Sequence, residues 1–213
     1  STHGLSTWYS CTEEILRVIN YNKHPLNNPT KSFRSYIKTK LKHLYDTYFR
    51  ETIYNDNRKD PNEMNKLRTY RTFKNTIKYE PYLNLDIKRS LIKQYTQYRL
   101  SSHKLQIELA RHIKANKCTA ERNAQKLKAR KCKICKNVDE DEMHFMMTCP
   151  AYDDERTLYT NSINRLCPNI NSLSTENLFV WLLINEDTEV MIKTIKFVND
   201  ALQKRELILK NIN

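Results

Sequence analysis

The sequence predicts a mainly α fold, one or more helical domains carrying a small cysteine-histidine knuckle. Three observations lead there. The 213 residues hold a single glycine, Gly4, and six prolines, against ~7% glycine in an average protein, so little in the chain breaks a helix. Apolar residues recur at spacings of three and four, and few stretches alternate as strands do. Asn and Asp gather between the apolar stripes, where they favour turns.

Taken in order, Ser10-Cys-Thr-Glu13 has the form of a capping box ahead of Ile15, Leu16, Val18 and Ile19. Asn22 to Thr30, with Pro25 and Pro29, is a break. Phe33, Ile37, Leu41, Leu44 and Tyr48 then mark a long basic helix, for which solvated lysines (Lys38, Lys40, Lys42) over core tyrosines (Tyr45, Tyr48) are expected. A second break runs from Asn55 through Asp60-Pro61 to Asn62. Met64, Leu67, Tyr70 and Phe73 give the next stripe, which Pro81 closes. Ile87, Leu91, Tyr95 and Tyr98 give another, continued less regularly by Leu105, Ile107 and Leu109. Beyond the knuckle, helices are expected from Tyr152 to Leu166, around Leu178, Trp181 and Leu182, and along Val190, Ile195, Val198, Leu202 and Leu209. The expected division is a helical segment at 1–60, a basic helical region at 61–130, the knuckle at 131–150 and C-terminal helices at 151–213.

Composition bounds function before any motif does. The lone glycine excludes the glycine-rich loops that cradle phosphates, because those loops need backbone positions open only to Gly. A formal charge of +13 suits a polyanionic partner, whose binding releases counterions. Residues 111–136 are the most basic window, with ten Lys and Arg against one acid, Glu121. No apolar run approaches the ~20 residues of a membrane span, so no membrane partner is expected. The chain opens on Ser1, as a piece of a longer protein would. Six cysteines without secretory features point to a reducing, intracellular setting, nucleus or cytoplasm, where clustered Cys and His signify metal more often than disulfides.

That cluster is Cys132-x2-Cys135-x8-His144-x4-Cys149. A Cys-x2-Cys turn aims two thiolates at one point, and a His and Cys five positions apart can meet them from a short helical turn. Three sulfurs and one imidazole fill a tetrahedron and leave no place for an activated water. One structural zinc ion is therefore expected. Cys11, Cys118 and Cys167 read as small buried hydrophobes, Cys118 being the natural substitute ligand. The acids from Asp139 to Glu142 are expected in an exposed loop.

Arg99-Leu-Ser101-Ser-His103-Lys-Leu105-Gln-Ile107-Glu108-Leu-Ala-Arg111 resembles the segment that precedes the C-terminal zinc knuckle of many animal non-LTR retrotransposon reverse transcriptases. Glu142-Met-His144-Phe145 and Cys149-Pro150-Ala-Tyr152 sit where that family places its knuckle. Tyr70-Arg71-Thr72-Phe73-Lys74 and Glu80-Pro81-Tyr82-Leu83 fit farther out. The likeness covers about residues 65–160. It departs at Ala110, where the family commonly has Gly, and in a longer link from Arg111 to Cys132.

The resemblance implies a region that follows the polymerase and grips template RNA or target DNA, with the remainder of the parent polymerase as a further partner. Tyr152-Asp153-Asp154 lacks the residue that separates Tyr from the paired Asp in polymerase active sites, and no catalytic residue is assigned. Arg99, His103 and Arg111 join resemblance to chemistry suited to phosphates and bases, with a structural role equally open for His103. Lys126, Lys128, Arg130, Lys131 and Lys133 lead into the knuckle as candidate phosphate contacts. The rival readings are a protein-interaction module in which zinc only holds helices together, and a zinc nuclease, against which the closed ligand set argues.

Overall fold

The computed structural model describes residues 16–18, 31–54, 67–74, 78–113 and 119–212. The Ser10–Glu13 cap, the Pro25–Pro29 break, Met64, Lys114, Lys117, Cys11 and Cys118 lie outside them. The chain divides into two units, residues 1–56 and 57–213. The described residues are mainly helical, and their β pairing is one isolated antiparallel bridge, Lys131 with Asp139.

In the first unit, helix α1 spans Lys31–Tyr54. Phe33, Ile37, Leu41 and Leu44 are half-buried along one face, as their spacing requires. The two tyrosines expected in a core are instead exposed, Tyr45 by 63% and Tyr48 by 66%. A helical period fixes the direction in which a side chain leaves the axis, and burial further requires a partner surface. Lys40 lies 5.8 Å above the Tyr36 ring, so lysine and tyrosine share the solvent side.

The second unit contains seven α-helices among its described residues: α2 (Arg68–Phe73), α3 (Arg89–Arg99), α4 (Gln106–Leu109), α5 (Thr119–Ala129), α6 (Asp153–Asn164), α7 (Thr175–Ile184) and α8 (Thr188–Ile212). Local chemistry sets the starts of the last two. The Ser174 hydroxyl accepts from the Asn177 amide at 3.2 Å, and Asp187 Oδ1 accepts from the amides of Glu189 and Val190 at 2.9 Å, each satisfying donors the helix cannot pair internally.

One core joins segments from before, within and after the knuckle. Tyr95, Tyr98, Leu105, Phe145, Tyr152, Ile163, Leu182, Ile195 and Val198 are all buried in it. The Tyr159 and Phe197 rings stack 4.5 Å apart between α6 and α8, and the Tyr159 hydroxyl meets Thr194 Oγ1 at 2.8 Å. Leu105 and Ile107 are buried, whereas Leu109 is 44% exposed. No helix among the described residues is long and apolar enough to cross a membrane.

Candidate metal centre

The knuckle starts where α5 ends. Lys131 and Asp139 pair in the bridge, the Cys132 amide donates to the Val138 carbonyl at 2.9 Å, and the Lys136 amide donates to the Cys132 carbonyl at 2.9 Å. This closes a tight loop around Cys132 and Cys135. Lys136 takes a left-handed φ of 62°, a conformation costing a non-glycine residue roughly 1–2 kcal/mol.

The second half is a π-helical turn, His144–Thr148. Asp141 Oδ1 accepts from the His144 amide at 2.7 Å, and the Cys149 amide donates to the His144 carbonyl at 2.8 Å. That five-residue step sets His144 and Cys149 beside each other. Arg156, itself bonded to Asp153, donates to the carbonyls of Met146 at 2.9 Å and Cys149 at 2.6 Å. Arg156 thus braces the knuckle, and both aspartates of Tyr152-Asp153-Asp154 lie in the first turn of α6, the favourable end for a negative charge.

Cys132, Cys135, His144 and Cys149 bring one ligand atom each to a common point, all within 4.8 Å of one another. The ligand atoms of a tetrahedral zinc centre lie about 3.5–3.8 Å apart, from bond lengths near 2.0–2.3 Å. Cys135 Sγ and His144 Nε2, 3.4 Å apart, are already close to that spacing. The other ring nitrogen, Nδ1, lies 3.0 Å from Thr148 Oγ1, an outer partner of the kind that orients a metal-binding imidazole. Hydrogen bonding from Cys149 and then His144 overcomes burial and lowers the Cys132 thiol to about 3, while the Cys149 thiol is raised by the same contact. The cluster can hold one metal ion. Cys167 is free and outside it.

The acids between the ligands are a correction to the expected exposed loop. Glu140 is 1% exposed and Glu142 fully buried, because each meets cationic and neutral donors from distant segments. Glu142 Oε2 accepts from Arg68 Nη2 at 2.5 Å and Thr69 Oγ1 at 2.8 Å. Its Oε1 accepts from Ser101 Oγ at 2.6 Å and lies 2.7 Å from His103 Nε2. Burial alone would raise this carboxyl; His103, Arg68 and Ser101 together hold it down at about 2. Glu140 is gripped by both Arg205 Nε and Nη2 at 2.7 Å.

The same accounting relocates several expected nucleic-acid contacts. Arg99 is 4% exposed. Its guanidinium lies 4.6–5.7 Å from the ring centres of Phe73, Tyr82 and Tyr95, meets Glu80 at 2.8 Å and donates to the Leu183 carbonyl. His103 serves Glu142 through Nε2, and its Nδ1 accepts from the Leu105 amide at 3.3 Å. Arg130 is buried. The side chains of all three are buried in this structure. Arg111 is half-buried against Glu108 at 3.4 Å, and Lys131 pairs with Asp139 at 3.0 Å. Lys128, Lys133 and Lys136 are exposed and Lys126 partly so.

Arg68, Glu140, Glu142 and Arg205 escaped the sequence reading. The one available sign was an acidic run placed between metal ligands in a basic chain. No family model matches this chain, and neither does any curated protein or solved structure.

Proposed function

We propose that this chain is a nucleic-acid-binding region with a structural zinc ion at Cys132, Cys135, His144 and Cys149, as found behind the polymerase of a retroelement reverse transcriptase. Three thiolates and one imidazole are a soft, closed donor set suited to zinc, which would cross-link the knuckle and leave no open position for hydrolysis. The zinc supplies folding free energy; contact with the polyanion falls to the lysines.

The observation that carries the binding reading is the sorting of charge around the knuckle. Lys126, Lys128, Lys133 and Lys136 make no ion pair among the described residues. Of the acids near them, Glu140 and Glu142 are buried and matched by Arg205, Arg68 and His103, and Asp139 pairs with Lys131. These four lysines therefore keep their positive charge toward solvent. The resemblance between residues 65 and 160 supports the same reading, with the contacts now assigned to the lysines.

Binding to a duplex across a salt series tests it. Each phosphate contact contributes about 0.9 to the slope of log affinity against log salt. Replacing Lys126, Lys128 and Lys133 with Ala should make the slope shallower by roughly 2–3 with metal content unchanged. A flat salt dependence in the parent chain would instead favour a zinc-stabilised protein-interaction module.

A further inference from the structure

The last helix reaches back to the metal centre. Arg205 lies near the C-terminal end of α8 and is 3% exposed. Its Nε and Nη2 clasp Glu140 Oε1 and Oε2 in a fork, both at 2.7 Å. Glu140 Oε2 also accepts from the Gln106 amide at 2.8 Å, and the Glu140 carbonyl accepts from the Ile107 amide at 3.2 Å. Glu140 Oε1 lies 3.9 Å from Cys132 Sγ, the first ligand. A continuous line of contacts thus runs from a ligand sulfur through Glu140 to the final helix.

Charge makes this line consequential. A divalent ion held by three thiolates and a neutral imidazole leaves the centre with one net negative charge. Glu140 places a second against Cys132, in a site that water does not screen. Alone, that carboxylate would repel the negatively charged centre and so oppose metal binding. Arg205 cancels it through a bidentate pair, the geometry best suited to guanidinium and carboxylate. Gln106 and Ile107 hold Glu140 in register, so the compensation works only when α8 is docked.

We infer that Arg205 is a positioning residue of the metal centre, neutralising Glu140 beside Cys132, and that docking of α8 and metal binding therefore stabilise each other. The inference rests on the metal reading of the four-ligand cluster and adds a distant residue that sets its affinity.

The test uses the full chain and cobalt(II), whose visible absorption reports a tetrahedral thiolate-imidazole site, with affinity measured by competition against a chelator. Arg205→Met should weaken cobalt binding about 10–100-fold, the usual effect of losing an outer partner of a metal ligand, with the spectrum of the saturated protein unchanged. Adding Glu140→Leu to Arg205→Met should recover most of that loss, because the uncompensated charge goes with its partner. Hydrogen exchange on the unaltered chain gives a measurement independent of variant folding: removing metal should lower amide protection around residues 200–208 of α8. Parent-like affinity in Arg205→Met, a double variant no tighter than the single one, or unchanged protection of α8 would each overturn the coupling while leaving the metal site intact. A parent chain that takes up no cobalt would overturn both readings together.

Discussion

Glu142→Gln isolates the other buried carboxylate. Glutamine keeps the length of the side chain, removes its charge and turns one oxygen into a donor. Whichever way the amide sits, its NH2 meets a pair of donors: Arg68 and Thr69 on one side, Ser101 and His103 on the other. His103 cannot readily reverse its roles, because Nδ1 already accepts from the Leu105 amide. Arg68 keeps Glu108 and loses half of its neutralisation in a site 14% exposed. Breaking a buried pair by removing one partner costs about 3–5 kcal/mol. The depression of the Glu142 carboxyl from its ordinary 4.5 to about 2 corresponds to about 3 kcal/mol by linkage. At ~2–4 °C per kcal/mol for a domain of this size, Tm should fall by roughly 6–12 °C. Circular dichroism melts with saturating metal would show it, with Asp153→Asn as control. Asp153 is 62% exposed and pairs on the surface with Arg156, so that change should stay within about 1 kcal/mol. A Glu142→Gln protein melting within about 2 °C of its parent would refute this account of the carboxylate.

Three further outcomes are expected. The parent chain should carry one metal ion by elemental analysis, and Cys135→Ser or His144→Ala should lose it along with knuckle stability, since binding free energy at such sites is folding free energy; a folded, metal-free parent would dismiss the site. Arg99→Ala should cost about 2–4 kcal/mol through lost ring stacking and the loss of its bonds to Glu80 and the Leu183 carbonyl, seen in a denaturant titration, and should leave the salt slope of nucleic-acid binding unchanged. Tyr70, Tyr82, Tyr95, Tyr98, Tyr152 and Tyr159 are all raised above the ordinary 10, burial being the leading cause. The unfolded chain releases these protons near pH 10 while the folded chain retains them, so their contribution is full below that pH and declines above it. Their tyrosinate absorbance should therefore appear together with loss of helical dichroism, and ionisation well before unfolding would contradict their burial.

The Cys/His cluster was legible because it is local: four residues from 132 to 149 at the spacing of a metal site. The long C-terminal stripe was legible for a related reason, since Val190, Ile195 and Val198 recur on a helical period and all three are buried. The buried ion pairs were opaque. Glu142 is satisfied by Arg68 and Arg99 sits among Phe73, Tyr82 and Tyr95, and nothing in a list of charges distinguishes these from solvated residues. The presumption that charge means surface fails wherever two opposite charges enter the interior together. Hence the acids at 139–142 were read as an outer loop, and Arg99 as a contact for phosphate, while a structural role stayed equally open for His103. The motif stretch from Arg99 to Arg111 turns out to supply Ser101, His103, Gln106 and Glu108 to the polar frame beneath the knuckle.

The π-turn sets a rule for how this segment could drift. Within His144–Thr148 the backbone bond runs from the Cys149 amide to the carbonyl of His144, five positions earlier. Removing one would restore ordinary helical pitch and swing Cys149 away by about 100°, out of reach of Cys132 and Cys135. Phe145, Met146 and Met147 can therefore exchange identity more freely than number: substitutions there meet a packing penalty, whereas insertions and deletions dismantle the tetrahedron.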